Sequence, residues 1–156
     1  MIVRPHKILM IKKSFIEFSF NDNEPNYNKF KSLNSAEQYF LAENYNWDDG
    51  VTVLKWIVGS KKCDKGTACM IFWSAEPDFY FDYTVDTIEE YEKDVWELLQ
   101  KIIKRFKAND FYQSKFEFIP ENQGYKTDWK TELEIWNLPK DLKKGIKGKN
   151  PFTFGF

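Results

Sequence analysis

The sequence has few of the residues on which metal, cofactor and catalytic sites usually depend. Its 156 residues include two cysteines, one histidine and two arginines, so lysine carries nearly all of the positive charge. Cys63 and Cys69 are six positions apart, and no second Cys or His cluster completes a tetrahedral zinc site. A nucleophilic triad would have to use His6, close to a terminus. From the sequence we therefore assign no catalytic residue, no metal and no cofactor.

Two further absences bear on location and partners. The sequence contains no run of 18 apolar residues, and its first residues lack the long apolar run and small-residue cleavage site of a signal peptide. These features predict a cytoplasmic protein with no membrane-spanning helix. The formal net charge of −1 and the scarcity of arginine disfavour nucleic acid as a partner, because neutralising phosphates requires a basic face.

The remaining composition is that of an ordinary globular domain. Apolar residues make up 42% of the chain and aromatic residues 19%, enough to bury a core without metal or disulfide support. No linker or repeat divides the sequence, so we predict one domain over residues 1–156. The apolar spacing predicts a mainly α fold, a compact bundle of about five short-to-medium helices with room for one or two short strands.

Three of these helices are predicted between residues 35 and 77. Ser35 and Gln38 have the spacing of a capping box at the start of the first. The second covers about 51–60 and has an apolar face. Asp64 is the predicted N-cap of the third, which ends before Pro77. Cys69 would be a small buried residue of this third helix, and Cys63 a loop residue.

The longest periodic pattern predicts a fourth helix of about twenty residues. It would begin at a capping pair, Asp86 with Glu89, and end near Phe106. Beyond it, residues 115–119 alternate like a short strand, and residues 129–136 predict a further short helix. Residues 8–20 fit either a helix or a strand.

The stretch NYNWDDG, residues 44–50, admits two interpretations. As structure, it is the connection between two helices. Asn46, Asp48 and Asp49 leave the helical path readily, either aspartate can cap the next helix, Trp47 packs beneath, and Gly50 allows a tight approach. As chemistry, Asp48 and Asp49 are a carboxylate pair. We favour the structural interpretation, because adjacent loop residues rarely converge and no base lies nearby in sequence.

NYNWDDG is followed by VLKWIV and then by CDKGTA with IFW. This succession resembles a bacterial family of small proteins known as a domain of unknown function, whose members share a YNWDDG signature, an apolar helix and a CDxGTA motif. The resemblance is strongest over residues 35–77 and weaker over 109–112, 118–120 and 138–140. It implies a mainly helical domain. Similar domains are associated with immunity proteins of bacterial toxin systems, and this association implies a protein partner.

Charge is distributed unevenly along the chain. Residues 76–97 contain nine acids, one lysine and several aromatic residues, whereas residues 140–149 contain five lysines and one aspartate. Charge runs are often only solvated faces. The functional interpretation is an acidic, aromatic surface that binds a basic protein partner, such as a cognate toxin. Its predicted residues are Asp78, Asp82, Asp86, Glu89, Glu90 and Asp94.

The sequence thus supports three hypotheses of function. The first is a protein-binding domain, most concretely an immunity protein that neutralises a bacterial toxin by occlusion. The second is a small enzyme that uses carboxylates of the 44–50 or 78–86 loops, and the third is an intracellular adaptor unrelated to toxins.

Overall fold

A computed structural model describes residues 24–151 of the chain. The ambiguous segment 8–20 lies outside them. Within the described range the chain forms six α-helices: α1 (Tyr27–Lys31), α2 (Ser35–Glu43), α3 (Thr52–Gly59), α4 (Lys65–Ser74), α5 (Lys93–Ala108) and α6 (Lys140–Lys144). The prediction of a mainly helical bundle is confirmed.

Helix α4 is the centre of the packing. It contacts α2, α3 and α5, and every residue from Gly66 to Trp73 is buried. A helix that is buried on all sides lacks a polar face, which explains why KGTACMIFWS has little amphipathic pattern. Asp64 is its N-cap, as predicted, and Pro77 lies beyond its end.

Helices α3 and α5 present single apolar faces to this centre. The predicted second helix is confirmed as α3, with Val53, Leu54, Ile57 and Val58 buried. In α5 the buried residues step by three and four along the helix, and they are Leu98, Leu99, Ile102, Ile103 and Phe106.

The chain beyond α5 is mostly irregular. The predicted strand at 115–119 makes only two isolated bridges, Phe116 with Lys149 and Phe118 with Ile146. The first bridge is parallel and the second antiparallel, so the two do not form one ladder. The helix predicted at 129–136 is wrong, because only Glu134–Trp136 forms a short 3-10 turn. Pro139 is the residue before α6 and occupies its N-cap position.

The capping box predicted for Ser35 and Gln38 is displaced by one residue. Asn34 is the N-cap of α2: its side chain accepts from the Glu37 amide at 2.9 Å, and the Glu37 carboxylate accepts from the Asn34 amide at 2.9 Å. Ser35 instead donates through its hydroxyl to the Lys62 carbonyl. Two adjacent residues that both favour caps made this register ambiguous in the sequence.

The predicted start of the fourth helix, at Asp86 and Glu89, is also wrong. Helix α5 begins at Lys93, after a 3-10 turn over Glu90–Glu92. Upstream, the Thr87 hydroxyl accepts a hydrogen bond from the Thr84 amide at 2.8 Å. A threonine hydroxyl that binds nearby backbone in this way offers a turn in place of the helix.

Candidate functional site

The NYNWDDG stretch forms a compact turn between α2 and α3. Trp47–Asp49 is a short 3-10 helix, and the Asn46 side chain accepts from the Asp48 amide at 3.1 Å. The Tyr45 phenol donates to the Gly50 carbonyl at 2.9 Å. Trp47 packs partly buried against the core. Backbone and side-chain hydrogen bonds within the stretch therefore fix its shape.

Asp48 and Asp49 do not cap the following helix. The N-cap of α3 is Val51, which makes no side-chain cap, and Asn46 supplies the side-chain cap of the turn itself. The expectation of a tight approach at Gly50 is wrong as well. A β-carbon there would meet no atom within 4 Å, and the glycine instead supplies a φ of +80°.

The CDKGTA motif surrounds a buried carboxylate, that of Asp64. One of its oxygens accepts from the Gly66 amide at 2.8 Å and the Phe116 amide at 3.2 Å. The other accepts from the Lys115 amide at 2.7 Å and the Gln113 side chain at 2.9 Å. Four donors thus compensate a fully buried charge and join α4 to the 113–116 segment.

All six residues predicted for the acidic surface are exposed. We use "acidic surface" for Asp78, Asp82, Asp86, Glu89, Glu90 and Asp94. Asp94 is partly neutralised, since Lys55 lies 3.0 Å from it and 3.7 Å from Glu97. The other five acids form no salt bridge to any residue in 24–151. Their charge is therefore presented to solvent.

The two segments that carry these acids lie against each other. The indole N–H groups of Trp96 and Trp136 both donate to the Tyr83 carbonyl, at 3.3 and 3.0 Å. The pKa of Tyr91 is raised, mainly by the charge of Glu92. Desolvation, Glu89 and Tyr83 add to this effect in that order. The Trp96 hydrogen bond and the effect of Tyr83 on Tyr91 bring Tyr83 close to the segment that carries Glu89, Glu90 and Asp94, so the acids of the two segments lie in one region of the molecule.

Large apolar side chains stand exposed within the same surface. Phe79 is 55% exposed, Val85 59% and Tyr91 81%. Phe79 also contacts the ring of Tyr83, with centroids 6.2 Å apart. Aromatic residues are enriched at protein interfaces relative to the rest of a protein surface.

Sequence reasoning missed a cleft beside the NYNWDDG turn. This cleft of about 360 Å³ is lined by Tyr39, Glu43, Trp47, Glu117 and Tyr125, among others. Burial, and then the charges of Glu43 and Glu117, raise the pKa of Tyr39 to about 12. Desolvation raises the pKa of Glu43. Glu117 is 78 positions from Tyr39, and no sequence pattern indicated that they meet.

The remaining features concern the two cysteines, metal binding and membrane-spanning helices. Cys63 and Cys69 are free and buried, and burial raises the pKa of both thiols. In the part of the chain that the structure covers, no three His, Cys, Asp or Glu side chains are grouped to hold a metal ion. Nor does any helix among residues 24–151 have the length and apolar character needed to cross a bilayer.

Residues 34–107 match the model of a family described as a domain of unknown function, DUF4274. The match contains both motifs on which the resemblance depended, together with the acidic surface. A relation to a family of unknown function is therefore confirmed for this part of the chain. No curated protein and no solved structure matches the sequence.

Proposed function

We propose that the chain is a protein-binding domain whose acidic surface takes a basic protein partner. The observation that carries the proposal is the coincidence of five unpaired acids with three exposed apolar side chains on one surface. Of the six large apolar residues that stand exposed in 24–151, half lie in this one segment. Charge of one sign steers a partner to the surface, and aromatic side chains then supply contact area.

The most concrete form of this function is a bacterial immunity protein that neutralises a cognate toxin by occlusion. The association of similar domains with toxin systems supports it, and so does the surface. Many toxins that act on nucleic acid need a basic face, and an acidic partner covers such a face directly. The two remaining hypotheses are an adaptor unrelated to toxins and a carboxylate-based enzyme.

Capture from the protein's own cells tests the proposal. The wild-type chain and the double reversal Asp82→Lys/Glu90→Lys serve as baits, and mass spectrometry identifies what each retains. We expect a basic protein on the wild type that is lost from the reversal. A matched control, Glu24→Lys/Glu117→Lys, changes the net charge equally at exposed acids outside 76–97 and should retain the partner.

The identity of the captured protein separates the hypotheses. A protein that kills cells when expressed alone, and is neutralised by co-expression of this chain, supports the immunity function. A harmless basic partner supports the adaptor. Equal capture by the wild type and the Asp82/Glu90 reversal would contradict a role for the acidic surface and would direct attention to the Glu43 cleft.

The apolar part of the surface has its own expected effect. Phe79→Ser and Tyr91→Ser should weaken the captured complex by about tenfold or more, because exposed aromatic residues at the centre of an interface commonly contribute over 1 kcal/mol. Surface plasmon resonance should show the loss as faster dissociation, while circular dichroism confirms an unchanged fold.

A further inference from the structure

A groove lined by lysines lies between the end of α3 and the outer side of α5. Two adjoining cavities, of about 570 and 870 Å³, share residues 59–62 and Lys101. Asp110 is the one acid among their described lining residues. We call this site the lysine groove, and its lysines are Lys31, Lys55, Lys61, Lys62, Lys101 and Lys104.

Five of these six lysines form no salt bridge within residues 24–151. Lys31 lies over the Tyr27 ring and Lys62 donates to two backbone carbonyls, so three lysines remain uncommitted. Lys55 pairs with Asp94 and Glu97, whereas Lys61, Lys101 and Lys104 have no carboxylate partner in residues 24–151. A β-carbon at Gly59 would lie only 3.0 Å from the Lys101 ammonium nitrogen. The absence of a side chain at Gly59 therefore leaves room for this ammonium beside the end of α3. The groove therefore concentrates positive charge that the fold itself does not neutralise.

A buried amide also lacks a partner at this groove. Gln38 lines it and is only 1% exposed; its Nε2 donates to the Ser60 hydroxyl at 3.0 Å. Its carbonyl Oε1 accepts no hydrogen bond from the described part of the protein. An unsatisfied buried acceptor is unfavourable, so a rearrangement of this lining side chain that lets the oxygen accept from a ligand with a donor would be favoured.

Aromatic rings form another wall of the groove. Tyr27 and Trp56 both line it, with ring centroids 5.0 Å apart, and Tyr27 is 51% exposed. Flat rings beside uncommitted lysines offer a stacking surface and phosphate partners within one cavity.

We propose that the lysine groove binds a mononucleotide. Lys61, Lys101 and Lys104 would hold the phosphates, and the base would pack against Tyr27 or Trp56. An amino or hydroxyl group of the nucleotide would donate to Gln38 Oε1. The volumes of the cavities are those of small-molecule sites. The groove meets the acidic surface at the Lys55–Asp94 salt bridge, and the proposal does not depend on the proposed protein-binding function.

Isothermal titration of the full chain with ATP, tripolyphosphate and adenosine tests the proposal. The expected order of affinity is ATP first, then tripolyphosphate, then adenosine, because only ATP uses both the lysines and the rings. The double variant Lys101→Gln/Lys104→Gln should lower the affinity for ATP and for tripolyphosphate by at least about tenfold, because each substitution removes a charged hydrogen bond. Lys140→Gln/Lys147→Gln, an equal charge change outside the groove, should leave both unchanged.

Two further variants separate the contribution of the Trp56 ring from that of the Gln38 amide. Trp56→Leu and Gln38→Met should each lower the affinity for ATP and leave the affinity for tripolyphosphate unchanged. Thermal melts establish that each variant is folded. If either fails to fold, the ratio of ATP to tripolyphosphate affinity in the wild type decides. Absence of ATP binding at millimolar concentration, equal affinity for ATP and tripolyphosphate, or indifference to the Lys101/Lys104 variant would overturn the proposal.

Discussion

Asp64 is a buried side chain that joins distant parts of the sequence through several hydrogen bonds. Its carboxylate accepts from donors that lie up to 52 positions further along the chain. Asp64→Ala should lower the free energy of unfolding by about 3 kcal/mol or more, because it removes a helix cap and leaves several buried donors unsatisfied. Chemical denaturation measures this loss.

Asp48→Ala is the matched comparison. Asp48 is exposed and its side chain caps no helix, so its removal should change stability by less than about 0.5 kcal/mol. Equal losses for the Asp64 and Asp48 variants would mean that the CDKGTA motif does not have the structural role that its hydrogen bonds indicate.

These two aspartates show what residue types predict and what they do not. A cap at Asp64 was predictable from the apolar helix that follows it. Its contacts with Gln113 and Lys115 were not, because nothing local in a sequence encodes a pairing 49 or 51 positions away. Asp48 was assigned the cap of α3 by residue type alone, but α3 has no side-chain cap, and Asn46 caps the turn that precedes it.

At the scale of elements, the contact between α4 and the 113–116 segment depends on a missing side chain. A β-carbon at Gly66 would overlap the carbonyl oxygen of Phe116. Gly66→Ala should therefore separate the helix from this segment and lower the free energy of unfolding by about 3 kcal/mol, the cost of severe overpacking.

Gly50→Ala distinguishes this packing effect from backbone strain. Gly50 has a positive φ but open space around it, so alanine there should cost only about 1 kcal/mol. Both variants are measured by urea denaturation. A smaller loss for Gly66→Ala than for Gly50→Ala would contradict the close contact.

Helices whose apolar residues form the core were the predictable elements. The positions of α3 and α4 follow from their buried residues and from Pro77, and the apolar face of α5 from its spacing. The start of α5 was not predictable from that spacing. Ile88 and Tyr91 continue the apolar pattern, but Ile88 packs partly buried against the core from outside the helix, and Tyr91, in the 3-10 turn before α5, is 81% exposed.

The candidate sites were predictable to different extents. A run of acids along the chain was enough to predict that these residues are exposed. The lysine groove and the Glu43 cleft combine residues from several helices and loops, and no spacing in the sequence places them together.

At the scale of the whole molecule, α5 separates the two signs of charge. Asp94 lies in its first turn and Arg105 and Lys107 in its last, which is the arrangement that the helix dipole favours. The acidic surface therefore continues from the beginning of this helix, and Lys101 and Lys104 reach the lysine groove from its later turns.

Stability of the whole molecule should decrease at alkaline pH. Burial is the main cause that raises the pKa of Tyr39, Tyr45 and Cys63, each to about 12. The unfolded chain releases these protons nearer their ordinary values of 10.0, 10.0 and 9.0, so the folded state holds more protons across this window. The contribution of these groups to the free energy of unfolding is therefore fully present below about pH 9 and is lost as the pH rises toward 12.

Urea denaturation at pH 8 and pH 11 measures this dependence. The wild type should be less stable at pH 11, and Tyr45→Phe, which removes one titrating phenol, should show a smaller decrease. A wild-type stability that is equal or greater at pH 11 would show that these groups are not desolvated in the folded protein.

The central claim, that the acidic surface receives a basic protein partner, is tested most directly by association kinetics. Stopped-flow measurements at two ionic strengths would compare the captured partner's binding to the wild type, to Asp82→Lys/Glu90→Lys and to Glu24→Lys/Glu117→Lys. We predict that the first reversal slows association at low salt by about tenfold or more and flattens its salt dependence, because charges near the contact steer the encounter. The control reversal should have a much smaller effect. Equal rates and equal salt slopes for the wild type and the Asp82/Glu90 reversal would contradict the claim.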